Sequence, residues 1–187
     1  MTDAKTTILA ATTACIARTG VRGLRVGDVA TEAGVSPGLL YYHFTDRAGL
    51  LAATLDYINA RAGDHRAAAS TERLLLAELD DSSEVRRDSI AWNELRASAI
   101  FDPQLADAIG GTTRSWNDAI AASLPSGPSG YAAVDRAEIL TTLVEGLAAR
   151  WLSGAMTADR ARGLLSAAMS ALGATSAAST TPSKGTP

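Results

Sequence analysis

The sequence predicts an all-α protein, and two features of its composition and pattern support that prediction. Alanine accounts for 38 of the 187 residues, and alanine is the best helix former and a poor strand former. Apolar residues recur at helical spacing along most of the chain, and no alternating strand pattern appears. Capping residues, glycines and prolines divide these runs into nine helical segments. We therefore expect helices to build the whole fold.

The first two helical segments both end at glycines. Residues 5–19 carry apolar side chains at helical spacing, and Gly20 follows as a stop. After a link at residues 21–24, the second segment covers residues 26–33 with a narrow stripe of small residues, and Gly34 ends it. Glycine suits both ends because it adopts the left-handed backbone conformation without a steric cost.

The third segment is short and has a well-marked start. Ser36 is a good N-cap, and Pro37 occupies the first helical position, where its missing N–H costs nothing. The segment stops before Asp46, which caps a long fourth helix running to about Ala68. A helix as short as the third segment is unstable in isolation, so we expect its neighbours to hold it in place.

Helical periodicity continues through the rest of the chain. The remaining segments lie around residues 74–79 and then at 84–101, 102–124, 131–153 and 157–173. Proline and glycine at residues 125–130 mark a clear break. The eighth segment carries an inward stripe of Val134, Leu140, Leu143, Leu147 and Trp151, which repeat at steps of three to six.

This pattern predicts two domains and a tail. The first domain covers residues 1–48 and the second covers residues 49–174. Residues 175–187 are rich in Ser, Thr, Ala and Pro, and we expect them to be disordered.

Charge and cysteine content narrow the range of partners and compartments. The net charge is −3, and residues 1–70 carry 7 basic and 6 acidic side chains. A nucleic acid would therefore have to be held by a small local patch. Arg18, Arg22 and Arg25 are candidates for that patch, although ordinary surface charge explains them equally well.

The single Cys15 excludes an internal disulfide. With no secretory signal and no run of about 18 apolar residues, we expect a cytoplasmic protein with no membrane span.

The second and third segments outline a helix-turn-helix reader of DNA. Ala30 is small where the two helices cross, and Gly34 permits the tight turn between them. Ser36 and the N-terminal amides of the third segment are suited to contact a phosphate. Gly38 has no side chain to keep the backbone away from DNA, and Arg47 is suited to bind a second phosphate.

The third segment ends in a run of aromatic side chains that cannot all point inward. We expect Phe44 to pack in the core. Leu39, Tyr42 and His43 share one side of the helix and would face the major groove. Tyr41 lies obliquely, so its hydroxyl can reach a phosphate.

From residue 8 to residue 55, this pattern resembles the DNA-binding domain of the TetR-type transcriptional regulators. The most specific part is the run ATEAGVSPGLLYYHF at residues 30–44. The remainder is similar to the ligand-binding domain of that family in length and number of helices. The betaine-regulator-like branch of the family is resembled at Trp92 with Leu95, at residues 102–103, and at residues 145–147 with residues 151–152.

The resemblance implies a homodimer with three helices on DNA and a six-helix effector domain. Its last two helices, 131–153 and 157–173, would pair with the same helices of a second copy. Members of the family usually repress transcription and release DNA when a small molecule binds. Matching positions imply DNA contacts from Ser36, Pro37, Gly38, Leu39, Tyr41, Tyr42, His43 and Arg47. Leu39 replaces a commoner Thr, so a base contact there would be apolar.

The second domain contains all three tryptophans, at residues 92, 116 and 151, on inward stripes. Each is either part of the core or part of a pocket wall. Asp88 shares a face with Trp92, and a carboxylate on such a stripe is costly unless it is paired or serves a ligand. Arg96 either pairs with Asp88 or lies at the edge. The candidate ligand-binding residues are Asp88, Trp92, Arg96, Trp116 and Glu145. If they line one cavity, it suits a cationic or mixed ligand.

The sequence favours a dimeric repressor that a small-molecule effector releases from a palindromic operator. The alternatives are a small helical enzyme or a protein-interaction module with a vestigial helix-turn-helix. One Cys and two His offer no Cys–His or Ser–His–Asp set, and neither metal-ligand spacing nor a glycine-rich phosphate loop appears. We therefore expect no enzyme activity, no metal site and no cofactor. The expected partners are double-stranded DNA, a small molecule and a second copy.

Overall fold

The computed structural model describes residues 3–64, 70–125 and 130–175. Within these ranges the chain forms nine helices and no strand, which confirms the predicted fold class. In chain order the helices are α1 (Ala4–Gly23), α2 (Val26–Ala33), α3 (Pro37–Phe44), α4 (Arg47–Asp64), α5 (Thr71–Ala77), α6 (Ser83–Ala99), α7 (Pro103–Ser123), α8 (Ala133–Leu152) and α9 (Ala158–Ala171). None of the described helices is long and apolar enough to cross a membrane. The predicted extension of the fourth helix to Ala68, and residues 176–187 of the predicted tail, lie outside the described residues.

Two glycines shape the chain before α3. Gly20 has φ 71° and interrupts α1, which resumes for one more turn instead of ending there. Gly34 has φ 66° and caps α2 in the left-handed conformation, as predicted. The next N–H, that of Val35, donates to the carbonyl oxygen of Ala30 at 3.0 Å. Side chains with a Cβ rarely adopt these positive φ values, so both turns depend on glycine.

Helix α3 is fixed at both ends by local contacts. The Ser36 hydroxyl oxygen accepts the Leu39 N–H at 3.2 Å, which confirms the predicted cap. At the other end, the Asp46 carboxylate accepts the Gly49 N–H at 2.8 Å in the first turn of α4. A Cβ on Gly49 would lie 2.9 Å from the Phe44 carbonyl oxygen. This close approach sets the position of α3 against α4.

Four later helices begin at side-chain caps. Ser70, Ser82, Asp102 and Thr157 each accept a backbone N–H from the first turn of the helix that follows. Such caps satisfy N–H groups that have no partner inside the helix. The predicted helix starts at Asp102 and Thr157 are thereby confirmed.

Two apolar cores hold the helices together. The first core combines residues of α1 to α4 with Ala91 and Leu95 of α6 and Leu105 of α7. The second core combines residues of α5, α7, α8 and α9. Helix α6 therefore belongs to the same core as the helix-turn-helix. The division of the chain after residue 48 stays a prediction.

The expectation that Val134 faces inward is wrong, because its side chain is 59% exposed. Val134 lies in the first turn of α8, and the second core takes its first α8 residue at Ala137. The inward stripe of α8 therefore begins one turn later than its periodicity predicts.

Arg136 is a buried cation near the start of α8, with 4% of its surface exposed. Its guanidinium donates hydrogen bonds to the carbonyl oxygens of Pro125, Leu172 and Gly173 at 3.1, 3.3 and 3.2 Å. These carbonyls follow the ends of α7 and α9, where partial negative charge accumulates. Arg136 thereby ties three helices of the second core together.

Candidate DNA-binding surface and ligand cavity

Helix α3 is held from one side and exposed on the other. Leu40 and Phe44 are 1% and 5% exposed and belong to the first core. Tyr42 is 82% exposed and Tyr41 is 50% exposed. The predictions that Phe44 packs inward and that Tyr42 faces solvent are both confirmed. Because α3 is only eight residues long, its two buried side chains determine which face it presents.

The N-terminal turn of α3 is open to solvent. Ser36, Pro37 and Gly38 are all exposed. Because the Ser36 oxygen accepts the Leu39 N–H, its own O–H stays available as a donor. A Cβ on Gly38 would meet only the Ser36 hydroxyl, at 3.8 Å. A phosphate or a base edge can therefore approach this turn closely.

The remaining predicted contacts differ in their surroundings. Leu39 and His43 are half-buried, and the rings of Tyr42 and His43 meet edge to face with centroids 5.3 Å apart. Arg47 is exposed, but its guanidinium donates a hydrogen bond to the carbonyl oxygen of Val21. Arg47 therefore also holds the start of α4 to the end of α1.

The three candidate arginines near the helix-turn-helix differ in whether they are paired with an acidic group. Arg18 pairs with Glu32 at 3.0 Å. Arg22 and Arg25 are exposed, and neither contacts an acidic group within the described part of the chain. Of the three arginines, these two therefore keep their charge free for a partner outside the described chain.

A cavity of about 1030 Å³ lies among α4, α5, α6, α7 and α8. All five predicted ligand-binding residues line it: Asp88, Trp92, Arg96, Trp116 and Glu145. Trp92 and Trp116 are half-buried, and each lines the cavity while it also packs against one of the two cores. Trp151 is part of the core, because it is 3% exposed and packs in the second core. The volume lies at the upper end of the range for small-molecule sites.

The two acidic residues that the sequence predicted for the cavity already have basic partners. Asp88, with 16% of its side chain exposed, accepts from Arg61 at 3.3 Å and from Arg87 at 3.1 Å. Arg96 does not pair with Asp88 but forms an ion pair with Glu145 of α8. Burial raises the pKa of the Glu145 carboxyl, and the charge of Arg96 opposes that rise.

Arg61 is a cavity residue that sequence reasoning missed. It lies on α4 and contacts Glu84 and Asp88 of α6, while its Nη1 donates to the Tyr57 hydroxyl at 3.2 Å. Burial lowers the pKa of Arg61, but the bond to Tyr57 and the charge of Asp88 leave it above its ordinary value. Arg61 and Asp88 are 27 positions apart, so no sequence pattern signals the pair.

Helix α6 also meets the backbone before the helix-turn-helix. The Glu94 carboxylate accepts the N–H of Val21 at 3.0 Å. A Cβ on Gly20 would lie 2.7 Å from the same carboxylate oxygen. Glu94 follows the cavity residue Trp92 by two positions, so one helix contacts both the cavity and the DNA-binding helices.

Comparison with known families decides the identity of the chain. Residues 8–54 match the model of the bacterial regulatory proteins of the tetR family. Residues 67–174, more than half of the chain, match the C-terminal domain of BetI-type transcriptional repressors. The chain belongs to the TetR family. It is therefore a DNA-binding transcriptional regulator, and α2 with α3 is its helix-turn-helix.

Individual TetR-family members support this membership. The regulator BetI of Cronobacter sakazakii is 30% identical over 80% of this chain and 78% of its own length. Matches to other curated regulators of that name span as little as 55% of the relative. A crystal structure of a TetR-family regulator from Rhodococcus sp. is 41% identical, with a TM-score of 0.83, and covers 92% of this chain and 99% of its own.

A more distant solved structure contains a ligand. The regulator from Saccharomonospora viridis was crystallised in complex with choline, and it is 22% identical with a TM-score of 0.75. The match covers 89% of this chain and 95% of that regulator, which shows a shared fold. TetR-family regulators bind both DNA and small molecules, and this chain has an exposed α3 and a cavity of about 1030 Å³. No group of His, Cys, Asp and Glu among the described residues is arranged to hold a metal ion.

Proposed function

We propose that this regulator is a homodimeric repressor that leaves a near-palindromic operator when a small cation occupies its cavity. One observation carries the proposal: helix α6 lines the cavity through Trp92 and packs in the same core as the exposed recognition helix. A ligand that shifts α6 therefore acts on the core that positions α3. The shift requires the effector to bind the released form more tightly than the DNA-bound form.

The proposed DNA contacts are the exposed first turn, the aromatic face of α3 and the basic groups beside it. They are Ser36, Pro37, Gly38, Leu39, Tyr41, Tyr42, His43 and Arg47, with Arg22 and Arg25 at the edge. Few of these groups are cationic, so one copy binds weakly and two copies on one duplex supply avidity. The phosphate contacts make binding fall steeply as the salt concentration rises.

The proposed dimer forms through the outer faces of α8 and α9. On α8, Ile139, Leu143 and Gly146 lie on one side and border a groove of about 530 Å³. Ile139 is 42% exposed, and together with Leu143 it gives this side of α8 an apolar surface. In a dimer with a two-fold axis through this face, each α3 helix contacts one half-site. The centres of the two half-sites then lie about one helical turn, ~34–36 Å, apart or at multiples of that distance.

The proposed effector is a small cation or a molecule with a cationic group. Asp88 and Glu145 bring carboxylates to the cavity, and Trp92 and Trp116 bring aromatic faces. Carboxylates and aromatic rings together recognise organic cations. The choline bound by the regulator from Saccharomonospora viridis belongs to this chemical class.

Glu94 is proposed to transmit effector binding from α6 to the DNA-binding helices. In Glu94→Ala the buried N–H of Val21 loses its acceptor, and an unpaired buried donor costs about 1–3 kcal/mol. We expect this variant to bind choline like the wild type but to need about tenfold more choline for half-release of DNA. Calorimetry measures the first quantity and DNA fluorescence anisotropy the second. Glu94→Gln, which keeps an acceptor oxygen, is the matched control. Unchanged release in Glu94→Ala would exclude this route.

A mobility-shift assay on the DNA upstream of the protein's own gene tests the proposed function. We expect a retarded complex that choline or tetramethylammonium dissociates and that the neutral carbon analogue of choline leaves intact. The absence of a retarded complex would contradict DNA recognition at that site. Equal effects of the neutral analogue would contradict a cationic effector.

Two further features of the chain follow from this proposal. Residues 1–48 act as the DNA-binding domain and residues 49–174 as the effector and dimerisation domain. A regulator of this kind acts where the chromosome lies, so we infer a cytoplasmic location.

A further inference from the structure

The acidic corner of the cavity is already filled by a cation of the protein itself. Arg61, in the last turns of α4, donates from Nε to the Asp88 carboxylate at 3.3 Å and pairs with Glu84. Arg61, Glu84 and Asp88 all line the cavity. The side chain of Arg61 is 31% exposed, so it borders the open space rather than being sealed in the core.

The surroundings of Arg61 are those of a site for an organic cation. Two carboxylates face the guanidinium, and its central carbon lies 5.5 Å from the centroid of the Tyr57 ring. The Tyr57 hydroxyl also accepts a hydrogen bond from Nη1 at 3.2 Å. Opposite charge and an aromatic face are the two features by which proteins hold organic ammonium groups.

We propose that Arg61 is an internal competitor, and that a cationic effector enters this corner by displacing it from Asp88 and Glu84. The inference rests on the proposed function, because it assumes that the effector acts from this cavity. An attached side chain competes at a high effective concentration. A free cation therefore binds more weakly here than it would if Arg61 did not occupy the two carboxylates.

Displacement also has a structural consequence. Arg61 is on α4, and Glu84 and Asp88 are on α6, so the entering cation replaces an ionic link between these helices. The other end of α4 meets the recognition helix at Gly49 and Phe44. When the ligand replaces Arg61, α4 loses this ionic link to α6. Helix α4 supports α3, and α6 lines the cavity, so the exchange frees the support of α3 from the cavity wall.

Calorimetric titration of the full chain with tetramethylammonium and with choline tests the proposal. We expect Arg61→Met to bind both cations at least about tenfold more tightly than the wild type. Arg61→Lys keeps a competing charge and stays within about threefold of the wild type. Thermal melting checks folding, and Arg61→Gln gives the same test if Arg61→Met does not fold.

Arg87→Met is the matched control. Arg87 also donates to Asp88, at 3.1 Å, but it lies next to Asp88 on α6 and does not line the cavity. The variant loses the same charge beside the same carboxylate, and we expect its affinity to change by less than about threefold. Adding Asp88→Asn to Arg61→Met should remove at least about tenfold of the binding.

Equal or weaker binding by Arg61→Met, equal gains in Arg61→Met and Arg87→Met, or no effect of Asp88→Asn overturns the proposal. Failure of both wild type and Arg61→Met to bind either cation overturns it as well. The outcomes of the Arg61, Arg87 and Asp88 comparisons leave the proposed function standing, because the mobility shift of the wild type with choline tests separately whether a cation releases DNA.

Discussion

Gly38→Glu is expected to abolish binding to duplex DNA while leaving the chain folded. In the free protein a Cβ at this exposed position meets only the Ser36 hydroxyl, at 3.8 Å. A carboxylate in the first turn of a helix is favourable, because the helix dipole attracts negative charge there. On DNA the same carboxylate stands between the backbone of α3 and the phosphates. We expect the affinity to fall at least about 100-fold (~2.7 kcal/mol), measured by fluorescence anisotropy at fixed salt.

Two control variants separate the causes of that loss. Gly38→Ala removes the glycine without adding charge, and we expect a loss of less than about tenfold. Ala97→Glu makes the same change of charge at an exposed position of α6, and we expect wild-type affinity. If Gly38→Glu still binds DNA like the wild type, or if Ala97→Glu loses binding equally, then α3 does not read DNA as proposed.

Gly146→Arg is expected to convert the proposed dimer into folded monomers and to weaken DNA binding strongly. A Cβ on Gly146 meets nothing within 4 Å in one copy, so the monomer accommodates the side chain. In a two-fold interface the same patch faces itself, so each Arg meets a packed surface and a like charge. Two DNA-binding domains that are no longer linked should bind DNA about 10²–10⁴-fold more weakly than the dimer.

Light scattering measures the mass of the Gly146→Arg variant, and anisotropy measures its binding to DNA. Ala106→Arg adds the same charge at an exposed position of α7 and should stay dimeric. A Gly146→Arg chain that remains dimeric would show that α8 does not form the interface. A wild type that is monomeric while binding DNA tightly would exclude the dimer altogether.

The parts of the fold that the sequence predicts well are those set by neighbours in the chain. The caps at Ser36 and Asp46 and the left-handed turn at Gly34 each involve residues within three or four positions. Their signals are therefore visible in a short stretch of sequence. The exposed Tyr42 follows from the same local geometry, because a short helix has room for only two inward side chains.

The parts that the sequence does not predict depend on distant residues. The pair Arg96–Glu145 spans 49 positions, and the bond between Val21 and Glu94 spans 73. Helical periodicity put Trp92 on an inward stripe and left core and cavity open for it, and it could not indicate which basic group pairs with Asp88. Periodicity also failed at Val134, because it does not indicate where along a helix the packing begins.

The central claim is that two exposed α3 helices of one dimer read a duplex together. Selection of binding sequences from a random duplex library by the full chain tests this claim most directly. A two-fold dimer predicts an enriched near-palindrome whose half-sites lie about one helical turn, ~34–36 Å, apart or at multiples of it. Repeating the selection with Gly38→Glu should give no enrichment. A wild-type chain that enriches no sequence, or only a site without two-fold symmetry, would contradict the claim.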